Sequence, residues 1–517
     1  MPTAPPPAAL LAMAALALAL PAAAQERPRE EDLFGPPPAE VPAAGVPAPA
    51  PPGGRPGEAE VLSGKGADAA EARVAGQLEK TENPLQIGGQ LYLRAFGSAF
   101  QGEPPSRWGF SAPNLLDLFL DARPSDRVRA YGLTRTLYDP TQAQVVPSLL
   151  AGAQAAQTVG VGALQATAVT RVVLDQLWVS FDIQRRAFVT VGKQHVKWGT
   201  GRVWSPTDFL HTQRRDPLAV FDDRGGTAMA RIHVPLGEQR GAFTAAAVLE
   251  PLAPRVTPLL FEPKDPAPSP SSEMGAVGGA ARAEMVLGTW ELGADAVAQR
   301  GMEPRFGLDV SGGLWELDLR GEVAFRSGSD LPKLRPGVEG VVVVGPGGPV
   351  KFPIPWQRYQ PEGTWIQAVG SADWTTKYSD EDTLTVGAEY FYNQAGYDDV
   401  AAYPYLIGWN AFRPFYLGRH YAALFLLLPK PGSWNDTTVT LTGIANLSDR
   451  TGVVRLDWST TFLTWLRVEA FAQGHLGRRG GEFRLAVDLA PIPGILPAGL
   501  AISPPTVDVG LALRVAL

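Results

Sequence analysis

The chain contains no cysteine in 517 residues. That excludes disulfides, thiolate metal sites, a cysteine nucleophile and a lipidated N-terminal cysteine. Its histidines, His195, His211, His233, His420 and His475, give no zinc spacing. There is no basic run of the kind nucleic acid requires, and the net charge is a modest −7, so nothing argues for DNA or RNA as a partner. Gly199-Thr200-Gly201 is followed by no helical pattern and is not a phosphate loop. No cofactor or resident metal is implied.

Long apolar runs are also missing, apart from one at the start. Ala8 to Ala24 is apolar, small and ends in Ala22-Ala23-Ala24 before Gln25-Glu26-Arg27, which has the form of a secretory signal peptide over residues 1–24. It is shorter than the roughly 20 residues that a spanning helix needs. Residues 25–82 begin rich in Pro and Ala, as in Pro36-Pro37-Pro38, a composition that buries no core and suits an extended periplasmic tail. Ala67 to Lys80 has the makings of one short helix.

What the chain does have is alternation. From Trp315 to Arg326, Trp315, Leu317, Leu319, Gly321, Val323 and Phe325 fall on one strand face, and Glu316, Asp318, Arg320, Glu322 and Arg326 on the other. The pattern recurs. Leu91, Leu93 and Ala95 oppose Gln90, Tyr92 and Arg94; Leu177, Val179 and Phe181 oppose Gln176, Trp178, Ser180 and Asp182; Val386, Ala388 and Tyr390 oppose Thr385 and Glu389. Leu466, Val468, Ala470 and Ala472 oppose Arg467, Glu469, Phe471, Gln473 and His475. An apolar exterior around a wet interior predicts an all-β fold, a transmembrane antiparallel barrel over residues 83–517. At roughly 9 to 11 residues per strand it has about 18 strands, with 16 as the alternative.

Connections alternate in length. Arg123 to Asp126, Gln184 to Arg186 and Pro235 to Gly241 are short and predict periplasmic turns; 139–169, 197–226, 253–276, 329–362 and 394–419 are long and predict outer or lumen-filling loops. An even strand count requires Glu482 to Asp488 to lie in a long outer loop ending near Pro505 rather than to cross. Trp290, Trp315, Trp365, Trp374, Trp458, Trp465, Tyr390 and Tyr392 sit near predicted strand ends, where membrane interfaces favour them, although aromatics also simply suit strands.

The densest run of Trp, Gly, Arg and Asp follows the strand Phe188 to Gln194. Gly192, Gln194, Trp198, Gly199, Gly201, Trp204, Pro206, Thr207 and Asp208 form a G-x-Q-x-x-x-W-G-x-G-x-x-W-x-P-T-D segment. This resembles a group of bacterial porin-like outer-membrane barrels, as do Asn446-Leu447-Ser448-Asp449 and Glu482-Phe483. At the end, Asp508-x-Gly510-x-x-Leu513-x-Val515 resembles the signal read by the bacterial barrel-assembly machinery, with Leu517 where an aromatic is usual. The resemblance implies Sec-type export to the outer membrane, contact with its lipid and lipopolysaccharide, and possible homo-oligomers.

Physically, a Gly-rich charged loop over 197–226 is a candidate constriction. Arg202, Arg214, Arg215 and Arg224 would face Asp208, Asp216, Asp222 and Asp223 across an eyelet whose field orders polar solutes, or would pair locally and hold the loop. Ser205, Asp208, His195 and His211 lie close enough in sequence to be drawn as a hydrolase site, though proximity says little about triad geometry. Asp222-Asp223 and Asp398-Asp399 would suit calcium or simple solvation. The lumen-facing acids, Asp182, Glu284, Glu291, Asp295, Asp309, Glu316, Asp318, Glu322, Glu389, Asp457, Glu469 and Asp508, outnumber Arg94, Arg282, Arg320, Arg326, Arg455, Arg467 and Arg514, which predicts a weak cation preference. The expected function is passive diffusion of small polar solutes or ions, without catalysis; the alternative is a non-conducting surface barrel whose loops bind a partner or polymer.

Overall fold

The computed structural model describes residues 84–141, 170–220, 224–237, 240–253, 258, 261, 274–329, 331–345, 348–380, 382–491 and 500–516. The expected signal peptide, tail and short helix lie outside the described residues, as do Asp222 and Asp223.

The strands are β1 (Leu85–Phe100), β2 (Asn114–Ser125), β3 (Val128–Tyr138), β4 (Thr170–Ile183), β5 (Ala187–Gln194) and β6 (Thr227–Pro235). They continue as β7 (Gly241–Val248), β8 (Gly278–Leu287), β9 (Trp290–Gln299), β10 (Met302–Leu314), β11 (Leu317–Ser327) and β12 (Thr364–Lys377). The last are β13 (Thr383–Asn393), β14 (His420–Pro429), β15 (Thr437–Asn446), β16 (Thr451–Phe462), β17 (Leu466–Gly477) and β18 (Pro505–Ala516). Each pairs antiparallel with its sequence neighbours, and β1 pairs with both β2 and β18, which closes an 18-stranded barrel. A short segment, Gly109–Ser111, adds to the far end of β1. The register of closure sets Leu91 opposite Val515 and Arg94 opposite Ala512.

Burial follows the alternation. Leu118, Leu120, Leu177, Val179, Phe306, Leu308, Val507, Val509, Leu511 and Leu513 are exposed on the outside, whereas Asp117, Arg135, Asp309, Glu322, Asp373, Glu389, Arg455 and Asp508 are buried on the inside. A soluble fold reverses this arrangement. A barrel in lipid requires it, because the outer side chains meet hydrocarbon and the inner ones meet water, while the closed sheet satisfies the backbone polar groups.

The predicted short turns are short and sit at one end, together with the start of β1 and the end of β18. The predicted long connections gather at the other end, although two links there, between β9 and β10 and between β15 and β16, are also tight. Glu482 to Asp488 does not cross: it holds a turn of 3-10 helix at Glu482–Arg484 and the strand Val487–Leu489, paired with Leu500–Ile502 inside the last loop.

One sequence expectation is corrected. The strand read from Trp315 begins at Leu317, because Leu314 and Leu317 are paired and leave Trp315-Glu316 as the turn. Trp315 takes φ +56, left-handed backbone typical of tight hairpin turns. Glu316 is therefore not a lumen residue; its carboxylate accepts from Trp374 Nε1 at 3.1 Å on the exposed rim. Within the long connection 329–362, Lys333–Gly345 and Gly348–Tyr359 form a hairpin. It packs with α1 (Tyr403–Gly408) in an apolar cap that includes Phe261, Val341, Ile354, Trp356, Leu406 and Trp409.

Candidate functional site

The segment joining β5 to β6 folds into the barrel. Its apolar residues bury against inward-facing wall side chains on two fronts. Trp198, Phe209 and Leu210 pack with Met229, Val248, Val297 and Ala324. Trp204 is fully buried, its ring 5.4 Å from Phe391 and 5.5 Å from Tyr421, and its Nε1 donates to the Phe415 carbonyl at 3.0 Å. Fully burying such rings contributes roughly 2–3 kcal/mol each, so the loop behaves as part of the core.

Polar grip comes from two buried wall carboxylates. Glu322 on β11 accepts from the amide of Thr200 at 2.6 Å, the amide of Gly201, the Thr207 amide at 3.3 Å and the Thr207 hydroxyl at 2.8 Å. Glu389 on β13 accepts from the amides of Arg202, Val203 and Trp204 at 2.9, 3.1 and 2.8 Å. Hydrogen bonds to an ionised acceptor are about twice as strong as neutral ones, and here consecutive main-chain donors converge on each carboxylate. The glycines of the segment follow from this. Gly199 takes φ +88, and a Cβ there would press on the Thr207 hydroxyl and the Glu322 carboxylate; a Cβ at Gly201 would overlap the Trp204 carbonyl.

The loop's charges pair with each other and with the wall. Arg224 Nη1 lies 2.8 Å from Asp208, which also holds His211 Nδ1 at 3.0 Å, all three buried. Burial raises the Asp208 carboxyl, but His211 and Arg224 outweigh it and hold the group below the ordinary carboxylate value. Arg202 reaches Asp373 on β12 at 2.8 Å and stacks on Phe425 at 4.6 Å. Arg215 donates to the Arg202 carbonyl at 3.1 Å, Arg214 lies over Tyr416, and Asp216 accepts from the Leu218 amide. Ser205 donates to the Gly201 carbonyl at 3.3 Å and His195 is held by Asp175 at 2.9 Å, so of the four residues of the notional hydrolase site Asp208 and His211 bond each other while Ser205 and His195 are bonded elsewhere. Asp398 pairs with Arg419, and Asp399 caps the Ala401 amide.

Arg94, Asp318, Arg320, Glu322, Arg326, Glu389, Arg467 and Glu469 share the lumen face. Arg326 donates to the Pro206 carbonyl at 2.9 Å and stacks on Phe209. Arg320 pairs with Asp373. Asp318 shares a face with Asp373 and is exposed at the short-turn rim. Arg94 donates to the Pro113 carbonyl. Of the C-terminal signal, Asp508 and Gly510 face the lumen, and Leu513 faces out.

Sequence reading missed Asp117, Asp121, Arg129, Arg135, Asp175 and Asp373. Asp117 and Asp121 alternate against Leu116, Leu118 and Leu120, a signal open to the same reading. Asp175 had no such signal: a bulge opposite Leu133 and Thr134 turns it inward beside Gln176. It receives Arg135, His195 and the Gly226 amide, and so ties both ends of the loop to the wall.

The second pair of motif residues also meets. Asn446 Nδ2 donates to Glu482 at 2.6 Å, Tyr421 donates to the same oxygen at 2.6 Å, and the Glu482 amide donates to Asp449 at 2.6 Å. Burial, with Asp449 adding repulsion, pushes the Glu482 carboxyl up to about 8.

No protein-family model matches the chain, and no curated protein does. Among solved structures it is similar to OccAB4 of Acinetobacter baumannii, with a TM-score of 0.45 and 7% identity over 84% of this chain and 98% of that one. It is also similar to OprB of Pseudomonas putida, at 0.43 and 9% over 87% and 98%. A mutant of the Rh. blastica porin gives 0.36 and 10% over 84% and 100%.

Proposed function

We propose that the chain is an outer-membrane porin-like channel for passive diffusion of small polar solutes, narrowed by the 197–226 loop, and a member of the porin-like group that its Trp- and Gly-rich segment resembles. The observation that carries this is the loop itself, folded inward and fastened to Glu322 and Glu389 within an 18-stranded wall whose inner face is charged. Roughly 16 to 18 strands enclose an aqueous lumen, whereas 8 are filled by their own side chains. The exposed apolar belt suits lipid, and the terminal strand is read by the assembly machinery after Sec-type export. No step of bond chemistry is proposed.

Planar-bilayer recording of the refolded chain tests the reading. Discrete current steps are expected; a folded barrel that passes no current would overturn it. A second reading has one observation in its favour. The outer hairpin, α1 and the Val487–Leu489 pair build a packed cap rather than loose loops, which suits a surface for binding a polymer.

A further inference from the structure

Two of the five histidines meet inside the barrel. His195 leaves β5 at the root of the inward loop and His211 lies further along it; their ring centres are 5.7 Å apart, with the planes tilted by 40°. The other three stand on other strands, and His475 has both ring nitrogens engaged, one by Asp508 at 2.7 Å and one by the Phe483 carbonyl at 2.7 Å.

A buried carboxylate orients each ring of the pair. His211 Nδ1 lies 3.0 Å from Asp208, and His195 Nε2 lies 2.9 Å from Asp175. The acids are fixed in turn, Asp208 by Arg224 at 2.8 Å and Asp175 by Arg135 at 3.5 Å and the Gly226 amide at 3.3 Å. In a neutral imidazole so held, the nitrogen on the carboxylate carries the hydrogen and the other presents its lone pair. For His211 that other nitrogen is Nε2, buried in a side chain only 3% exposed and without a hydrogen-bond partner among the described residues. For His195 it is Nδ1, in a side chain 19% exposed, which keeps the pair within reach of solvent.

A buried lone pair left unused is costly. Metal-ligating histidines regularly carry a carboxylate on their second nitrogen, which fixes the tautomer and raises the basicity of the ring. With metal–nitrogen bonds of about 2.0–2.1 Å, one ion shared by two imidazoles places the ring centres roughly 5 to 6 Å apart, and the spacing of His195 and His211 falls in that range. We infer that His195 and His211, oriented by Asp175 and Asp208, form a two-imidazole site for a divalent first-row transition ion, copper above zinc as the affinity order of these ions has it. Nitrogen donors alone do not suit calcium or magnesium, which take oxygen. Among the described residues no third histidine or carboxylate completes the set, so water or a passing solute fills the remaining positions. Bound there, the ion clips the root of the inward loop to its middle. The site stands on this geometry alone, whereas its effect on current rests on the channel reading.

The test titrates the untagged, EDTA-treated, refolded full chain in detergent with copper(II) chloride, followed by calorimetry and electron paramagnetic resonance. One equivalent is expected in wild type, with nitrogen hyperfine structure from two imidazoles, and its loss in H195Q and in H211Q. D208N, which removes the orienting charge, should weaken binding about 10–100-fold, and H420Q should bind as wild type does. Heat-modifiable gel migration shows that each variant is folded. In planar bilayers copper(II) should quieten open-channel noise in wild type and not in H211Q; a conducting wild type whose noise is unchanged would overturn the clip. A silent channel that still binds one equivalent sinks the channel reading and keeps the site. Absence of stoichiometric binding, equal binding in H195Q and H211Q, or loss in H420Q instead would overturn the site itself.

Discussion

Asn446 and Glu482, 36 residues apart, meet with the Asn446 amide 2.6 Å from the Glu482 carboxylate inside the mouth of the barrel. The contact fastens the last loop to the tight turn between β15 and β16. The same carboxylate takes the Phe415 amide from a third connection. One buried acid therefore gathers three segments that share no strand.

Replacing Asn446 with Leu removes a donor from a buried acid, at a cost of about 1–3 kcal/mol. The barrel ladder is unaffected. Limited proteolysis should cut the 478–504 loop faster in N446L than in wild type while the barrel core stays resistant; equal cleavage would mean that the contact does not hold the loop.

The Glu482 carboxyl has a folded value of about 8 against an ordinary 4.5. Between those values the folded mouth binds a proton that the open one releases, so its stability falls as pH rises through that window and levels off above about 8. Amide exchange at Phe415, corrected for intrinsic rate, should show protection declining from pH 5 to pH 8, as that sign requires. In E482Q, which stays neutral, the decline should disappear.

Removing both wall carboxylates, E322A/E389A, orphans the amides of residues 200 to 204 and Thr207, at about 1–3 kcal/mol for each group that stays buried. The loop should leave the wall. Single-channel conductance is expected to rise and open-state noise to increase while heat-modifiable migration persists. Conductance equal to wild type would show that Trp204 and its aromatic neighbours suffice.

Gly192 adopts φ +129, and a Cβ there would overlap the Leu177 carbonyl on the paired strand. G192A should destabilise the barrel by roughly 1–3 kcal/mol, as overpacking of a close contact does, and should lower the urea midpoint of refolding. G102A, with open space around its Cβ position, is the control and carries only the backbone term for positive φ.

The wall was legible because every strand repeats one local rule, with apolar residues outside and polar ones inside, and the even count set the place of Glu482 to Asp488. Trp315 escaped because alternation continues smoothly through a two-residue turn that nothing but pairing reveals. Asp175 escaped because a bulge breaks the period for one residue. The first strand of the hairpin at 333–359 carries a Val341-Val342-Val343-Val344 run, and the alternation of Phe352, Ile354 and Trp356 in the second is interrupted by Pro353 and Pro355, so neither reads as a lipid-facing strand. The partnership of Glu322 with Gly201, 121 residues away, has no local trace at either end. A carboxylate on a strand and a glycine in a loop each look ordinary until the chain is folded.

The inward loop is held chiefly by its main chain. Peptide N–H groups are the same whatever side chain follows them, so Arg202 and Val203 keep their hold on Glu389 under almost any substitution. Beyond the ion pairs of Arg202, Asp208, His211 and Arg224, the anchorage constrains Gly199, Gly201, Thr207 and the buried aromatics. Arg214, stacked on Tyr416, is a fitting on that mount, so what passes through such a channel can change there without the channel having to be rebuilt.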